Sequence, residues 1–116
     1  MKSNRQGLFH HMEESLKNID EFMETAKDEK KFTENKLVRS AVCMELLNFV
    51  ELVKKSAADG IVPAHDYPWK NIIRLRDRTS HWYHKTDFGV IYRIVTEDLP
   101  NIRAELAKIA KTGYCR

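Results

Sequence analysis

The stretch AVCMELLNFVELV, residues 41–53, is apolar around most of a helical circumference. A helix of this kind has little surface to give to water, so neighbours must cover it from more than one side. A chain of 116 residues can build one compact domain around such a helix and is too short for two. We therefore expect one domain over residues 1–116, with its central helix over 35–58. The polar breaks in that helix are Glu45, Asn48 and Glu51. Glu45 and Asn48 share a face at a three-residue step, and Glu51 can pair with Lys55 one turn on. Two readings stay open: the breaks are solvent-facing gaps, or one apolar side packs the monomer core while another packs a second subunit.

The remaining chain keeps the helical period. Over residues 7–27, Leu8, Met12, Ile19, Phe22, Met23 and Ala26 recur on one face, with Glu13, Glu14, Lys17 and Asp20 turned elsewhere. The charged stretch KDEKKFTENK breaks the period and reads as a solvated connection. ADGIVPAHDYPW carries Gly60, Pro63 and Pro68 and reads as a loop, Pro68 suiting the first turn of a third helix over 68–81. HKTDFG is the next break, with Asp87 as a candidate N-cap. Beyond it Ile91, Val95, Leu99, Ile102, Leu106 and Ile109 hold one phase through Pro100. A long helix bent near the proline, or two helices end to end, satisfies that phase. No segment alternates with the period of a strand and none repeats, so the expected class is all-α, an antiparallel bundle of four or five helices.

The formal charge of +3 is mild, and its location matters more than its sum. Cys43 lies in an apolar run and Cys115 beside the C-terminus; together they make no metal spacing and no disulfide framework, as suits a reducing cytoplasm. The N-terminal stretch lacks the apolar core of a secretory signal. No run reaches the roughly 20 apolar residues of a membrane span. His10, His11, His65 and His84 have no ligand spacing with a cysteine or carboxylate and read as surface residues. A cytoplasmic protein with no membrane attachment, no metal and no cofactor is expected.

The third helix carries the chemistry. Trp69, Ile72, Ile73, Arg76, Ser80 and Tyr83 fall within one arc, so Arg76 stands where an apolar residue was due. A buried guanidinium without an anion is costly; Arg76 must lie at an edge, pair with a carboxylate such as Glu45 or Glu51, or await an anionic ligand. His81 follows five positions later, about 140° around an ideal helix. Arg76 and His81 reach one atom only if the chain turns near His81 or a two-fold mate supplies its own copies. Such a set suits metal-free RNA cleavage. A histidine titrating near ~6.5 can take a proton from a ribose 2′-hydroxyl or give one to the leaving 5′-oxygen. A guanidinium can hold phosphate oxygens and oppose the charge that grows at phosphorus. Trp82, Tyr83, His84 and Lys85 can stack on a base or contact the backbone.

RDRTSHWY, residues 76–83, resembles the signature of HEPN domains, and more narrowly the arginine, four residues, histidine, one residue, tyrosine form of the HepT-like toxins. The flanks YPWKNIIRLRDR and FGVIYRIVTEDLPNIRAEL resemble the entry to the family's motif helix and its closing helix, and ELLNFVELVKKSA is a looser match to its second helix. Val50 stands before Glu51 where a glycine is common, and Asp77 where asparagine is frequent. The resemblance implies a HEPN-type bundle in which Arg76 and His81 are the ribonuclease pair and Asp77 supports them, orienting a catalytic group or tempering the positive potential. It implies that Tyr83 receives AMP from a nucleotidyltransferase antitoxin of the MNT type, in a type VII-like toxin–antitoxin pair. An adenylylated phenol adds charge and bulk where RNA phosphate must sit. The partners implied are RNA as substrate, a second copy of the chain and the antitoxin. Two other readings remain: a non-catalytic nucleotide- or substrate-binding companion of a nucleotidyltransferase, and a structural role in which Arg76 is tied to a glutamate.

Overall fold

The computed structural model describes residues 5–63, 69, 70, 72 and 88–112. Five α-helices and one π-helical turn account for most of them: α1 Arg5–Met23, α2 Glu29–Glu34, α3 Lys36–Ala58, α4 Phe88–Arg93, the π-turn Ile94–Asp98, and α5 Leu99–Thr112. Trp69, Lys70 and Ile72 are also helical. No strand occurs among the described residues, so the fold is the all-α bundle that the periodicity predicts. Among them no helix is long and apolar enough to cross a membrane.

α1 buries Leu8, Met12, Leu16 and Ile19, the stripe its sequence lays down. The helix closes at Met23, and the last turn tightens through Glu24 N–H to Glu21 O, Thr25 N–H to Phe22 O and Ala26 N–H to Met23 O. Such three-residue bonds satisfy carbonyls that a helix end would otherwise orphan. Ala26 is fully buried beyond that end.

The charged connection is a correction to the sequence reading. Residues 29–34 form α2, with Asp28 as N-cap: its Oδ1 accepts from Lys31 N at 2.7 Å. Phe32 is 0% exposed inside this run of charges. Asn35 then serves two helices. Its N–H donates to Lys31 O at the end of α2, and its Oδ1 accepts from Val38 N, 3.0 Å, at the start of α3. Local capping and one buried ring therefore make a helix where charge density suggested a solvated link.

α3 begins and ends where its sequence indicates. Val38, Val42, Leu46, Phe49, Val50 and Val53 are buried, and among the described elements α1 and α3 share the most extensive packing. The two run antiparallel: Ser15 meets Asn48 and Asn18 meets Glu45, so advancing three residues on one helix retreats three on the other. At the far end Ile61 N–H bonds Ser56 O at 2.8 Å and Gly60 N–H bonds Ala57 O at 3.0 Å. This double closure needs a left-handed residue after the cap, and Gly60 supplies it at φ 74°.

Residues 88–112 form one unbroken helical run. Ile91, Val95, Leu99, Ile102, Leu106 and Ile109 are buried, in the phase expected. Pro100 has no N–H to offer Thr96 and its ring crowds that carbonyl. The strain is met one turn earlier, where Leu99 N–H bonds Ile94 O in a widened five-residue loop of chain. Two successive steps of four, Ile91 to Val95 to Leu99, would drift around an α-helix; the wider turn keeps them on one side.

α5 is fastened to α1 by Arg103, whose Nη2 donates to Leu16 O at 3.2 Å and to Asp20 Oδ1 at 2.7 Å. α4 sits on α2: the Phe32 and Tyr92 rings lie 5.6 Å apart, and Tyr92 OH donates to Lys27 O at 3.1 Å. Trp69 and Ile72 are fully buried in the same core as α1, α3 and α5. The outer side of α3 leaves Leu37 81% and Met44 62% exposed.

Phe32→Ala is expected to lower unfolding free energy by about 3–5 kcal/mol, the range for emptying a buried phenylalanine site. Lys30→Ala should change it by less than about 0.5 kcal/mol. Urea denaturation followed by circular dichroism separates the two; equal effects would mean that α2 is not docked. Burial pushes the half-buried Cys43 thiol up from 9.0 to about 11, with the Arg39 guanidinium opposing the shift. Folding therefore favours the protonated thiol. Its contribution to stability is intact below pH 9 and is lost as pH rises towards about 11. Cys43→Ala should show a shallower fall in stability across that window than wild type, measured by denaturant midpoint against pH.

Candidate functional site

Arg76, Asp77, His81 and Tyr83 lie outside the described residues, as do Ile73, Ser80, His65, His84, Asp87 and Cys115. The structure does describe the chain on either side of them. Trp69 and Ile72, three residues apart, are helical and fully buried, so the entry to the third helix presents its apolar stripe to the core, as expected. On the far side Phe88 opens α4 and is half-buried. The segment that carries the candidate chemistry is thus flanked on each side by residues built into the bundle.

Phe88 is held from α3. The Arg39 guanidinium lies 4.4 Å from the centre of its ring, and Nη1 of Arg39 also donates to Thr33 O near the end of α2. That carbonyl belongs to the last turn of α2 and has no partner within its own helix, so the cation satisfies it. Sequence reasoning missed Arg39 because it falls within a long helix and has no obvious acidic partner at helical spacing. The available signal was its place four residues after Asn35, where a side chain can reach back over a helix junction.

Glu45, a candidate carboxylate for Arg76, accepts a 3.0 Å hydrogen bond on Oε2 from Asn18 Nδ2. Asn48 Nδ2 donates to the buried Ser15 Oγ at the same distance. Glu45 and Asn48 are therefore more than solvent-facing gaps: they form a polar seam with α1. Ser15 and Asn18 were not singled out from the sequence. Their three-residue step mirrors that of Glu45 and Asn48 and was the legible sign. The seam floors a groove of about 390 Å³ that His11, Glu14 and Leu52 also line.

His10 and His11 stand on the exposed side of α1, with Glu14 3.5 Å from His10 Nε2 and 3.7 Å from His11 Nδ1, as surface residues should. Among the described residues no three His, Cys, Asp or Glu side chains gather in a group able to hold a metal ion. A groove of about 580 Å³ runs between α1 and α5 and includes His10, Lys17, Asp20 and Arg103. Near Pro100 the half-buried Asp98 carboxyl is raised above its ordinary value, first by burial and then by the charge of Glu97.

Comparison with known proteins places this arrangement. The sequence model of the family described as "Ribonuclease HepT-like" matches residues 12–109, which includes α2, α3, α4, most of α1 and α5, and the RDRTSHWY stretch. "Putative RNase MJ0127" of Methanocaldococcus jannaschii is 32% identical over 98 residues, covering 84% of this chain and 80% of that protein. "Putative RNase MJ1380" of the same organism is 31% identical over 93 residues, 80% and 84% of the two chains. "Probable ribonuclease HepT" of Thermococcus cleftensis is 26% identical over 112 residues, 96% of this chain and all of that one. No solved structure matches the chain at a significant level. A family match that spans the described helices and the RDRTSHWY stretch, with relatives that align over most of both chains, makes this chain a member of the ribonuclease HepT-like family.

Proposed function

We propose that this chain is a metal-independent endoribonuclease toxin, acting as a homodimer and restrained by a nucleotidyltransferase antitoxin of the MNT type. The observation that carries the reading is the family match over residues 12–109 together with Arg76, His81 and Tyr83 at their motif spacing within it. Residues 1–116 act as one cytoplasmic domain on this reading. His81 exchanges a proton with the ribose 2′-hydroxyl or the leaving 5′-oxygen, and Arg76 holds the phosphate and opposes its growing charge. Asp77 supports the pair. DNA lacks the nucleophile and is spared. A two-fold mate is one of the two ways to bring Arg76 and His81 together, and the exposed Leu37 and Met44 on α3 are apolar surface of the kind a subunit contact covers. AMP placed on Tyr83 blocks the phosphate path without unfolding the bundle.

Purified protein in EDTA is expected to cut single-stranded RNA and leave DNA of the same sequence whole. Arg76→Ala and His81→Ala should each lower cleavage by at least about 100-fold, the scale of a lost general acid–base or charge-stabilising group, while melting temperature and sedimentation stay as in wild type. RNA bound with no cutting, or equal cutting by His81→Ala, would favour the binding-companion reading instead. With ATP and a cognate nucleotidyltransferase of the MNT type, wild type should gain the mass of AMP and Tyr83→Phe should not. Equal labelling of the two would remove Tyr83 from this role.

A further inference from the structure

We propose that Arg39 is a positioning residue for the ribonuclease reaction, acting through Phe88. The proposal rests on the ribonuclease reading above. Its observations lie entirely in the described residues.

Arg39 joins three elements. It belongs to α3, donates to Thr33 O of α2, and lies 4.4 Å over the Phe88 ring that opens α4. Among the described residues it pairs with no carboxylate, so its charge is directed to a helix-end carbonyl and an aromatic face. A half-buried guanidinium over a ring is held more firmly than an exposed one, because less water competes for the cation. Four residues on from Phe88, Tyr92 is also fixed, with its ring against Phe32 and its hydroxyl on Lys27 O. Positions 88 and 92 share one face of α4, and that face is docked on the corner made by residues 27–39. The first turn of α4 therefore has a defined place.

Phe88 follows Tyr83 by five residues and His81 by seven. On the ribonuclease reading the reacting groups thus lie within seven residues of this anchor, and a displacement near 1 Å at a reacting group can cost about 100-fold in rate. Loss of the Arg39 contact frees the ring of Phe88 while Tyr92, Ile91 and Val95 keep α4 on the bundle. The expected signature is a fall in kcat, with the fold and substrate binding retained.

Arg39→Leu and Phe88→Leu, each in the full chain, test this on a fluorescent RNA oligonucleotide alongside His81→Ala. Each is expected to lower kcat about tenfold or more with KM within about twofold of wild type. The double variant should be no worse than either single one, because both remove the same contact. Arg39→Lys, which keeps a cation over the ring, should recover most of the rate. Circular dichroism and melting curves set the folded fraction for each variant. Wild-type kcat in folded Arg39→Leu, strict additivity in the double variant, or no recovery in Arg39→Lys would overturn the proposal. Failure of wild type to cut RNA, or cutting by His81→Ala equal to wild type, would instead overturn the ribonuclease reading beneath it.

Discussion

The bundle depends on α3 being covered from several sides. A helix with Val42, Leu46, Phe49, Val50 and Val53 all buried removes a large apolar area from water, the dominant favourable term in folding. α1 covers one side along its length. α2 and α4 close another at the corner of residues 27–39, and Trp69, Ile72 and the inner face of α5 share the same core. Each of those neighbours also carries polar groups that need partners. The seams that result fix register where apolar contact alone would allow sliding: Ser15 with Asn48, Asn18 with Glu45, Arg103 with Leu16 and Asp20. Such bonds contribute modestly to stability and strongly to uniqueness, since a slipped pairing would leave buried donors unmet.

Much of this was legible in the sequence, and particular residues explain why. The boundaries of α3 follow from Asn35 and Gly60, residue types whose backbone and side-chain chemistry end helices in any context. The buried stripes of α1 and of residues 88–112 follow from period alone. α2 was not legible, because period needs several turns to register and six residues give fewer than two. Its single buried residue, Phe32, sits in a run whose charge argues for water. The π-turn was written in the doubled four-residue step before Pro100, but a step of four is ordinary in an α-helix and becomes diagnostic only beside the proline.

The site divides differently. The proposed chemistry comes from residue identity read through the family resemblance: an arginine on an apolar stripe, a histidine five positions later and a tyrosine two beyond that. Geometry was not there to read. Whether two side chains about 140° apart on an ideal helix share one phosphate depends on chain direction and on neighbours, and those are properties of the whole assembly. The same holds for Glu45. Its sequence position made it available to Arg76, and tertiary structure gives one of its oxygens to Asn18, a partner 27 positions away.

On the proposed reading, restraint of this enzyme by a modification is easier to achieve than restraint by unfolding. The core holds together through Trp69 and Ile72 on one side of the RDRTSHWY stretch and Phe88, Tyr92 and Ile91 on the other. On that reading a charged group added at Tyr83 acts on the phosphate path by repulsion and bulk, while these five residues hold the flanking chain in the core. An inhibitor working through stability would have to overcome that burial, several kcal/mol in a domain of this size, whereas a single charge at the reacting phosphate works against a transition state whose stabilisation is itself electrostatic. On the proposed reading, control at the reacting phosphate is therefore less costly than control through the core.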